Sequence, residues 1–421
     1  MMNDLGMGLA VRDAAFQAAY PITALAIALA SVLWVEIVRD CYHALSHLWQ
    51  PLYRLHVWHH KVFRRDLSVV SDTIYRQAHW YNDVPESLVM LALSILPWGI
   101  VRTWDIAPQW TVWAGSIYTL SFLLGAIARG LGIPMIDELT DITHRPGEFT
   151  SLPSRWFVNR PYHWRHHFDN QDAYFSGTLT LIDKLLGTAL SLKNKRIAVT
   201  GASGTLGKAL LTQLHLGGAK VTALTSSDTQ ISLELPQGEI SIPTLSWRAG
   251  EETELLEQLN RIDILIINHG INVRGQRDVG AIAKSYEINT FSTLRLMETF
   301  FKTIKSDRDL VRKEIWVNTS EAEVNPAFSP LYELSKRATG DIVTMSRLNA
   351  PCVIRKLILG PFKSKLNPIG IMSADWVAKQ IVNLAKRDIR NIIVTINPLT
   401  YILFPLKEFC VANYFRWFTK E

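Results

Sequence analysis

The chain has 421 residues, a formal net charge of +6 and 48% hydrophobic residues. This length suggests two or three domains, and the hydrophobic fraction excludes a disordered, collagen-like or coiled-coil protein. Its three cysteines lie far apart, which excludes a disulfide scaffold and a cysteine-rich zinc module. The modest positive charge fits a protein beside an anionic membrane or one that uses phosphorylated cofactors, and we predict no nucleic-acid partner.

Histidine, tryptophan and lysine are distributed unevenly along the chain. Ten of the twelve histidines precede residue 170 and ten of the fourteen tryptophans precede residue 190, whereas Lys61 and Lys184 are the only lysines before residue 190. We therefore predict two unlike domains: a membrane domain over residues 1–191, and a dinucleotide-binding domain with an apolar carboxyl-terminal tail over residues 192–421.

Three uncharged runs in the first half predict membrane crossings. Ala14–Val35 and Ala107–Ala128 have 22 residues each, which corresponds to about 33 Å of helix and is enough to cross a hydrocarbon core of about 30 Å. Ser87–Val101 has 15 residues and predicts a short or re-entrant crossing, with a buried core helix as the alternative. We expect the first run to be a retained anchor, because no signal-peptide cleavage site precedes it.

The basic residues predict an orientation for these crossings. Arg39–Glu86 carries six Lys and Arg residues, Thr103–Ile106 carries none, and Arg129–Lys195 is again rich in Arg. By the positive-inside rule, both basic segments face the cytoplasm. Three crossings with an external amino terminus satisfy this rule. The sequence thus predicts a multi-pass integral membrane protein whose histidine-bearing segments meet on the cytoplasmic face.

The histidines of the first half form three clusters and one single residue, namely His43-Ala-Leu-Ser-His47, His56-Val-Trp-His59-His60, His163-Trp-Arg-His166-His167 and His144. Spacings of three and four place imidazoles on one face of a helix. The clusters hold too many ligands for one tetrahedral zinc, but they suit two metal ions with open positions, and imidazole suits iron that activates dioxygen. A zinc site and a former metal site without activity are the alternatives. His79 lacks a partner at helical spacing, so we interpret it as structural.

Together with Asp40 and the closing run Leu181-Ile-Asp-Lys-Leu-Leu-Gly-Thr188, these clusters resemble the fatty acid hydroxylase/sterol desaturase superfamily over about residues 15–190. The resemblance implies an all-α transmembrane bundle that oxidises lipid C–H bonds with O2, and it implies a membrane lipid substrate and a separate electron donor such as ferredoxin or a cytochrome. The residues it implies as ligands of two iron ions are His43, His47, His56, His59, His60, His144, His163, His166 and His167.

One position departs from this superfamily. Members often carry another histidine where this chain has Thr140. Asp137 or Asp141 is a candidate replacement as a carboxylate ligand. Alternatively, one metal ion has fewer ligands than the other.

After residue 192, short apolar strands alternate with helical segments, which predicts an α/β doubly wound Rossmann domain. The predicted strands are Arg196–Thr200, Val221–Leu224, Ile264–Ile267, Ile315–Thr319 and Val353–Leu359. The loop Gly201-Ala-Ser-Gly-Thr-Leu-Gly207 and the helix Lys208–Leu216 follow the first strand, as in a dinucleotide-binding fingerprint. Thr225-Ser226-Ser227 stands where an acidic residue would bind the ribose of NAD. NADP(H) is therefore favoured over NAD(H), although Asp228 lies nearby. The cofactor-binding candidates are Gly201, Ser203, Gly204, Leu206, Gly207, Thr225 and Ser226.

Tyr332 and Lys336 lie one helical turn apart, and a nearby cation favours a tyrosinate that transfers a proton. Ser320 could polarise a carbonyl oxygen. The order of glycine loop, Asn, Ser, Tyr and Lys resembles the short-chain dehydrogenase/reductase family over about residues 193–400. The resemblance implies the catalytic residues Asn289, Ser320, Tyr332 and Lys336, and it adds Asn268, Gly270, Tyr332 and Lys336 to the cofactor-binding residues.

Two positions depart from this second family. His269 stands where members have a small residue, so we expect it to crowd the cofactor. The family spacing between the serine and the tyrosine is usually one residue longer than that between Ser320 and Tyr332. Thr319 is therefore an alternative to Ser320 as the residue that polarises the carbonyl oxygen. A dinucleotide domain without catalytic activity is the alternative for the domain as a whole.

The tail Pro398–Phe418 is apolar and aromatic, which predicts either an interfacial helix or a segment that covers an edge of the sheet. The whole chain resembles the fused sterol desaturase/short-chain dehydrogenase proteins of cyanobacteria. We predict a bifunctional membrane oxidoreductase of lipid metabolism that hydroxylates or desaturates a lipid and interconverts an alcohol and a carbonyl with NADP(H). The alternatives are a membrane-anchored reductase with an inactive histidine domain and a non-catalytic scaffold of a lipid-modifying complex.

Overall fold

The computed structural model describes residues 2–104, 108–236 and 238–420, with side chains from residue 21 onwards. The chain divides into two compact units. The first unit comprises Met1–Glu148 and Ser154–Asp183, and the second comprises Phe149–Pro153 and Lys184–Glu421. Composition placed the boundary at residue 192, a few residues further along the chain.

The regular elements in the described part of the first unit are helices, joined by turns and loops. Its helices, including the one that leads out of it, are α1 (Met2–Leu48), α2 (Gln50–Lys61), α3 (Asp72–Ala78), α4 (Val84–Leu93), α5 (Leu96–Trp104), α6 (Trp113–Leu131), α7 (Ile136–Thr140), α8 (Arg160–Phe168) and α9 (Leu181–Leu186). A π-helical turn, His79–Asp83, joins α3 to α4. Proline occupies the first turn of both α2 and α8, where its missing N–H has no intrahelical partner to lose.

Among the described residues, three helical runs are long and apolar enough to cross a bilayer: Pro21–Leu48, Asp72–Trp104 and Gln109–Leu131. This agrees with the three runs predicted from charge, although the side chains of residues 14–20 and Ala107 lie outside the described residues. The run predicted to be short is part of a 33-residue helical segment. Leu88, Ile95 and Ile100 are exposed on it, so the alternative of a buried core helix is wrong. Membrane orientation stays a prediction.

The second unit alternates strands and helices, as predicted. Its strands are β1 (Arg196–Thr200), β2 (Lys220–Thr225), β3 (Ile231–Leu235), β4 (Gly238–Ile242), β5 (Thr244–Ser246), β6 (Ile264–Ile267), β7 (Glu314–Asn318), β8 (Val353–Leu359) and β9 (Asn391–Val394). Its helices are α10 (Thr205–Leu216), α11 (Leu256–Asn260), α12 (Val279–Tyr286), α13 (Ser292–Phe301), α14 (Asp307–Arg312), α15 (Pro330–Ser346), α16 (Ala374–Lys386) and α17 (Thr400–Phe418).

Seven of the described strands form a parallel sheet in the order β5-β2-β1-β6-β7-β8-β9, and β3 and β4 form a separate antiparallel hairpin. One face of the sheet packs against Leu210 of α10 and Val377 of α16. The other face packs against Leu296 of α13 and Val343 of α15. The strand order reverses between β1 and β6, and ligands of open α/β sheets bind in the crevice at that point. The predicted doubly wound fold is confirmed.

Candidate functional sites

The first candidate site is a group of five imidazoles in the first unit, to which α1, α2 and α8 contribute. Its members are His43, His47, His56, His60 and His166, whose donor nitrogens lie within 4.8 Å of one another. The Nε2 atoms of His43 and His166 are 3.0 Å apart. The Nε2 atom of His60 lies 3.1 Å from that of His56 and 3.4 Å from that of His47. Five ring nitrogens therefore converge on one small volume.

A second group of four imidazoles lies beside the first, and its members are His59, His144, His163 and His167. The Nε2 atoms of His163, His144 and His167 are separated by 2.9 to 3.2 Å. The rings of His59 and His167 are 4.6 Å apart. Each His-x-x-His-His cluster is thus divided: residues four apart share a group, and the intervening histidine joins the other group.

Hydrogen bonds to the opposite ring nitrogen fix the orientation of several of these rings. The Nδ1 atom of His43 lies 2.6 Å from the carbonyl oxygen of Phe175, and that of His166 lies 2.8 Å from the carbonyl oxygen of Ala173. His56 is paired with Asn82 Oδ1 at 2.9 Å, and His144 is paired with Asp141 Oδ1 at 2.6 Å. Such partners on the far nitrogen are typical of metal-binding histidines, because they leave Nε2 as the free electron-pair donor.

Burial favours the neutral form of five of these imidazoles, which is the form that binds a metal ion. It lowers the pKa of His56 to about 4, and it lowers the pKa values of His59, His163, His166 and His167 well below their ordinary range, with the neighbouring imidazoles acting in the same direction. A neutral ring presents a lone pair rather than a second proton.

The spacing of the nitrogens can be compared with that around a metal ion. For metal–nitrogen bonds of about 2.1 Å, neighbouring ligands are separated by about 3.0 Å in octahedral geometry and about 3.4 Å in tetrahedral geometry. The measured separations of 2.9 to 3.4 Å span this range. The nitrogen-only donor set, with one group of five and one of four, fits two transition-metal ions.

The structure does not place the carboxylates proposed as replacement ligands in either group. Asp141 contacts the far side of His144, and Thr140 accepts a hydrogen bond from Arg129 at 2.5 Å. Asp137 is exposed on α7. His79 lies outside both groups, with Nδ1 2.5 Å from Asp83 Oδ2, in keeping with the structural interpretation.

The second candidate site begins at the glycine-rich loop between β1 and α10. Gly201 has a φ of +61°, and a Cβ there would lie 2.9 Å from the Cα of His269. A Cβ on Gly207 would overlap the carbonyl oxygen of Gly201. Glycine is therefore required at position 201 where this loop meets the loop after β6, and at position 207 where α10 packs against the glycine-rich loop itself. The side chain of Leu206 is buried in the core, which leaves its backbone for a dinucleotide.

Hydroxyl groups meet where this loop approaches the end of β2. Thr225 Oγ1 donates to Ser203 Oγ at 3.1 Å and lies 3.1 Å from Ser227 Oγ. Ser226 is exposed. Ser203, Thr225 and Ser226, three of the predicted cofactor-binding residues, thus form one polar edge with their neighbour Ser227.

The loop after β6 is organised by Thr200, which sequence reasoning missed. Thr200 Oγ1 accepts hydrogen bonds from the backbone amides of Asn268 and His269 and lies 2.9 Å from His269 Nδ1. The His269 ring is held further by Ser292 Oγ at 3.1 Å and by Trp247. Burial lowers its pKa to about 4. The predicted crowding of the cofactor stays a prediction, but the ring is tethered on the protein side.

Asn289 lies in a second π-helical turn, Glu287–Phe291. Its Oδ1 accepts from the amide of Ile271 at 2.8 Å, and its Nδ2 donates to Ser335 Oγ at 2.9 Å. The side chain therefore links the loop after β6 to α15. Ser335, which precedes Lys336, was not identified from sequence, because a serine on a polar helix gives no distinctive signal.

Tyr332 and Lys336 project from α15 beside the segment that follows β7. Burial raises the pKa of Tyr332, and its hydrogen bond with Ser320 acts in the opposite direction. Burial also lowers the pKa of Lys336 to about 8, and Lys336 Nζ donates to the carbonyl oxygen of Asn318 at 2.8 Å. Sequence reasoning expected Lys336 to lower the tyrosine pKa. In the structure burial dominates, and the opposing partner is Ser320.

Ser320 and Thr319, the two alternative partners of the tyrosine, differ in their hydrogen bonds. Thr319 Oγ1 donates to the carbonyl oxygen of Leu357 in β8, so it is directed into the sheet. Ser320 caps the short turn Glu321–Glu323, and its hydroxyl is the group that acts to lower the pKa of Tyr332. Geometry therefore favours Ser320 over Thr319 as the partner of the tyrosine.

The chain is similar in sequence to known proteins. A family model described as short chain dehydrogenase matches residues 195–346, and no hydroxylase family model matches the first half. The chain is 64% identical over 401 residues to the monoglucosyldiacylglycerol epimerase of Synechocystis, covering 94% of this chain and 98% of that protein. The second unit is thus a short-chain dehydrogenase domain.

Solved structures resemble the second half. A short-chain dehydrogenase from Burkholderia cenocepacia in complex with NADP is 19% identical, covers 55% of this chain and 100% of its own, and has a TM-score of 0.44. The aldohexose dehydrogenase of Thermoplasma acidophilum is 17% identical, covers 50% of this chain and 95% of its own, and has a TM-score of 0.39.

Proposed function

The chain belongs to the family of the Synechocystis monoglucosyldiacylglycerol epimerase, and from this premise we propose that it inverts a hydroxyl-bearing carbon in the sugar headgroup of a glycosyl diacylglycerol. The dehydrogenase site of the second unit performs the reaction. This proposal replaces the broader expectation of alcohol and carbonyl interconversion with a reaction that is redox-neutral overall.

The observation that carries the proposal is the group of side chains around Tyr332. The Ser320 hydroxyl acts to lower the pKa of its phenol, and Lys336 lies on the same face of α15, with Nζ 6.0 Å from the tyrosine ring centre. Asn289 fixes the adjoining loop. A half-buried phenol with a serine hydroxyl and an amine nearby suits proton transfer to and from one oxygen atom of a substrate.

The residues present fit a nicotinamide dinucleotide. A Cβ at Gly201 would meet the loop after β6, and a Cβ at Gly207 would overlap the backbone of the glycine-rich loop. The amino terminus of α10 follows, where a pyrophosphate is stabilised. A bound nicotinamide dinucleotide supplies an acceptor and donor of hydride. The residues that would hold it are Gly201, Gly204, Gly207, Asn268 and Lys336.

The protein's own residues handle the proton. Tyr332 removes the hydroxyl proton of the substrate as the carbinol becomes a ketone, and Ser320 donates a hydrogen bond to the same oxygen. Inversion requires the ketone to present its opposite face before reduction. Tyr332 then returns the proton to the oxygen, so neither protons nor electrons are consumed. The site must let the sugar turn without releasing it.

Tyr332→Phe tests the proposal. We expect turnover of a glucosyl diacylglycerol to its epimer to fall by about 10²- to 10⁴-fold, whereas dinucleotide binding measured by protein fluorescence is retained. Tyr414→Phe removes a hydroxyl from an exposed tyrosine of the same unit and should leave turnover unchanged. Full activity of Tyr332→Phe, or wild-type protein that forms no epimer, would contradict the proposal.

For the cofactor, we propose NADP(H) in preference to NAD(H). Thr225 and Ser226 provide hydroxyls at the end of β2, in place of a carboxylate that would repel a 2′-phosphate. Asp228 is exposed two residues further along. Tighter binding of NADP+ than of NAD+ is expected, and the opposite preference would show that Asp228 binds the ribose.

The two imidazole groups favour a second activity in the first unit. We propose that they hold two iron ions and that this unit oxidises a lipid C–H bond with O2, taking electrons from a separate carrier such as ferredoxin or a cytochrome. The chain's histidines would supply neutral nitrogen ligands, and Asn82, Asp141 and two backbone carbonyls would orient them. The proposed bilayer placement has both sites on the cytoplasmic face.

Metal analysis of the purified full-length protein tests this second activity. About two iron ions per chain are expected. The combined variant His59→Ala and His60→Ala, which removes one ligand from each group, should lose iron and any hydroxylated or unsaturated lipid product. Zinc in place of iron, or an unchanged lipid profile in the variant, would exclude the oxygenase.

A further inference from the structure

The helix α17 directs the side chains of Lys407 and Glu408 towards its own domain and exposes several apolar side chains on its opposite side. Lys356 of β8 is fully buried, and its Nζ lies 2.8 Å from Glu408 Oε2 on α17. Arg347 binds the same carboxylate at 2.9 Å, and Lys407 pairs with Glu323 at 2.7 Å. These ion pairs, with the fully buried Phe404, fix which side of the helix faces the domain.

The opposite side of α17 is an apolar stripe. Ile402, Leu406, Phe409 and Trp417 follow one another at helical spacings of three, four and eight residues, and Phe409 and Trp417 are 69% and 75% exposed. We call these four side chains the outer stripe. A surface helix of a soluble domain normally has the reverse arrangement, and contiguous exposed apolar side chains mark a site of interaction.

We propose that the outer stripe docks on a lipid bilayer, with α17 lying in the interface beside the dehydrogenase site. Three observations favour a bilayer as the occupant. The same chain carries three helical runs apolar enough to cross a membrane, so a bilayer is always within reach of the second unit. The described carboxylate of the helix, Glu408, points inward, while Arg416 and Lys420 are exposed. A basic, aromatic helix suits an anionic interface.

The third observation is the connection between α17 and the catalytic segment. Thr400, at the start of α17, accepts a hydrogen bond from Asn325 Nδ2 at 2.8 Å and donates to Glu321 Oε2 at 3.2 Å. Glu321 directly follows Ser320. Phe328 lies between Asn325 and Tyr332 in the sequence and is 96% exposed. The start of the docking helix is therefore attached to the segment that carries the proposed proton-transfer hydroxyls.

This placement rests on the proposed function and adds to it how the lipid substrate is presented. The acyl chains of the substrate stay in the bilayer while its sugar enters the site. A domain held against the membrane by α17 receives the headgroup without extracting the lipid. The outer stripe therefore selects substrates that are anchored in a bilayer.

Cys410, an exposed residue of α17, provides a labelling position. The full-length Cys41→Ser variant is labelled there with an environment-sensitive NBD dye and reconstituted in nanodiscs that contain phosphatidylglycerol. We expect the emission to shift to shorter wavelength, and we expect at least twofold quenching by lipids doxyl-labelled near the headgroup. A dye at Leu216→Cys in Cys41→Ser, Cys410→Ser protein is the control, because α10 lies on the other face of the sheet. Equal quenching at the two positions would overturn the proposal.

A functional measurement separates docking from chemistry. Phe409→Glu with Trp417→Glu should lower turnover of a bilayer-embedded glucolipid by at least tenfold and leave turnover of a water-soluble short-chain analogue unchanged. Equal loss on both substrates would overturn the docking role. Disulfide formation between Cys410 residues of two chains, without lipid quenching, would show that a second copy covers the stripe. If wild-type protein epimerises neither substrate, the proposed function fails, and the quenching result still decides the docking.

Discussion

His59 and His60 are adjacent in the sequence, yet their imidazoles belong to different groups. His60 Nε2 lies 3.1 Å from that of His56, whereas the His59 ring is 5.0 Å from the ring of His144 and 4.6 Å from that of His167. His166 on α8 shows the complementary arrangement, since it joins the group that contains His60. The helices α2 and α8 therefore each contribute ligands to both centres.

This division predicts separable losses of metal. His60→Ala should weaken binding at the group of five, and His163→Ala should weaken binding at the group of four, so each variant retains about one ion per chain. His215→Ala, in the second unit, should retain the wild-type content. Metal analysis by mass spectrometry of the purified proteins measures this directly. Loss of both ions in each single variant would indicate one cooperative centre instead of two.

Asp183 is expected to position the group of five without binding a metal ion itself. It is buried and accepts hydrogen bonds from the amides of Phe175 and Ser176 at 2.8 Å each. The carbonyl oxygen of Phe175 in turn orients His43. Asp183→Asn replaces an acceptor with a donor in this network, so metal affinity should fall by about 10- to 100-fold. Titration with the metal measures the change.

Asp137→Asn is the matched control for that experiment, because Asp137 is an exposed carboxylate of the same unit. Its metal affinity should equal that of the wild type. A fall in affinity for Asp137→Asn would restore this residue as the replacement ligand considered from the sequence, and it would contradict the nitrogen-only donor set.

Gly207→Ala should abolish dinucleotide binding. The added methyl group would overlap the carbonyl oxygen of Gly201 and crowd the backbone of Ala202, so the loop between β1 and α10 has to move. We expect at least a hundredfold loss of affinity for NADP+, measured by fluorescence titration, together with a lower melting temperature. Gly280→Ala, whose methyl would meet the Asp278 side chain at 3.1 Å, should bind NADP+ normally. Tight binding by Gly207→Ala would show that the loop is not a dinucleotide cradle.

Lys336 gives a pH dependence whose sign can be worked out. Burial lowers its pKa from the ordinary 10.5 to about 8. Between these values the unfolded chain holds a proton that the folded chain has released, so the folded state gains stability as pH rises through this window, by about 3 kcal/mol in total. The Lys336→Met variant has no titratable amine at this position, so it does not gain this stability as the pH rises. We also expect this variant to be inactive.

The melting temperature of Lys336→Met relative to wild type should therefore be highest below pH 8 and should decrease steadily towards pH 10.5. The lost bond to Asn318 adds a constant offset and leaves this slope unchanged. Differential scanning fluorimetry across the pH range measures the difference. A difference that does not vary with pH would mean that the buried amine keeps its ordinary pKa.

Much of the candidate site could be predicted from local spacing. Histidines four residues apart, such as His56 and His60, share a helix face, and they share a metal group in the structure. Which metal group His59 and His166 join could not be predicted. It depends on how α2 and α8 pack against each other, and a helical repeat carries no information about that packing. The same limit applies to Thr200, whose role arises where two loops 68 residues apart meet.

In the sheet, central strands were predicted from the sequence, whereas edge strands were not. The strands Ile264–Ile267 and Val353–Leu359 were predicted with the bounds that the structure gives, since central parallel strands form continuous buried runs. The edge strands β5 and β9 were missed, and neither of them is a continuously buried run in the structure. Within β8, Arg355 is fully buried through its pairs with Glu314 and Asp388, and these partners lie too far along the chain to be recognised from sequence.

Both units present an asparagine from a π-helical turn: Asn82 towards His56, and Asn289 towards Ile271. A π-helical turn amounts to one residue inserted into an α-helix. The wider turn accommodates the extra residue, so the helix that follows keeps its register. Deleting one residue from either turn would restore regular winding and remove the widened turn that presents the asparagine. Homologues that are one residue shorter at these two points would therefore lack this presentation, so gap placement in an alignment becomes a direct test of which relatives share this chemistry.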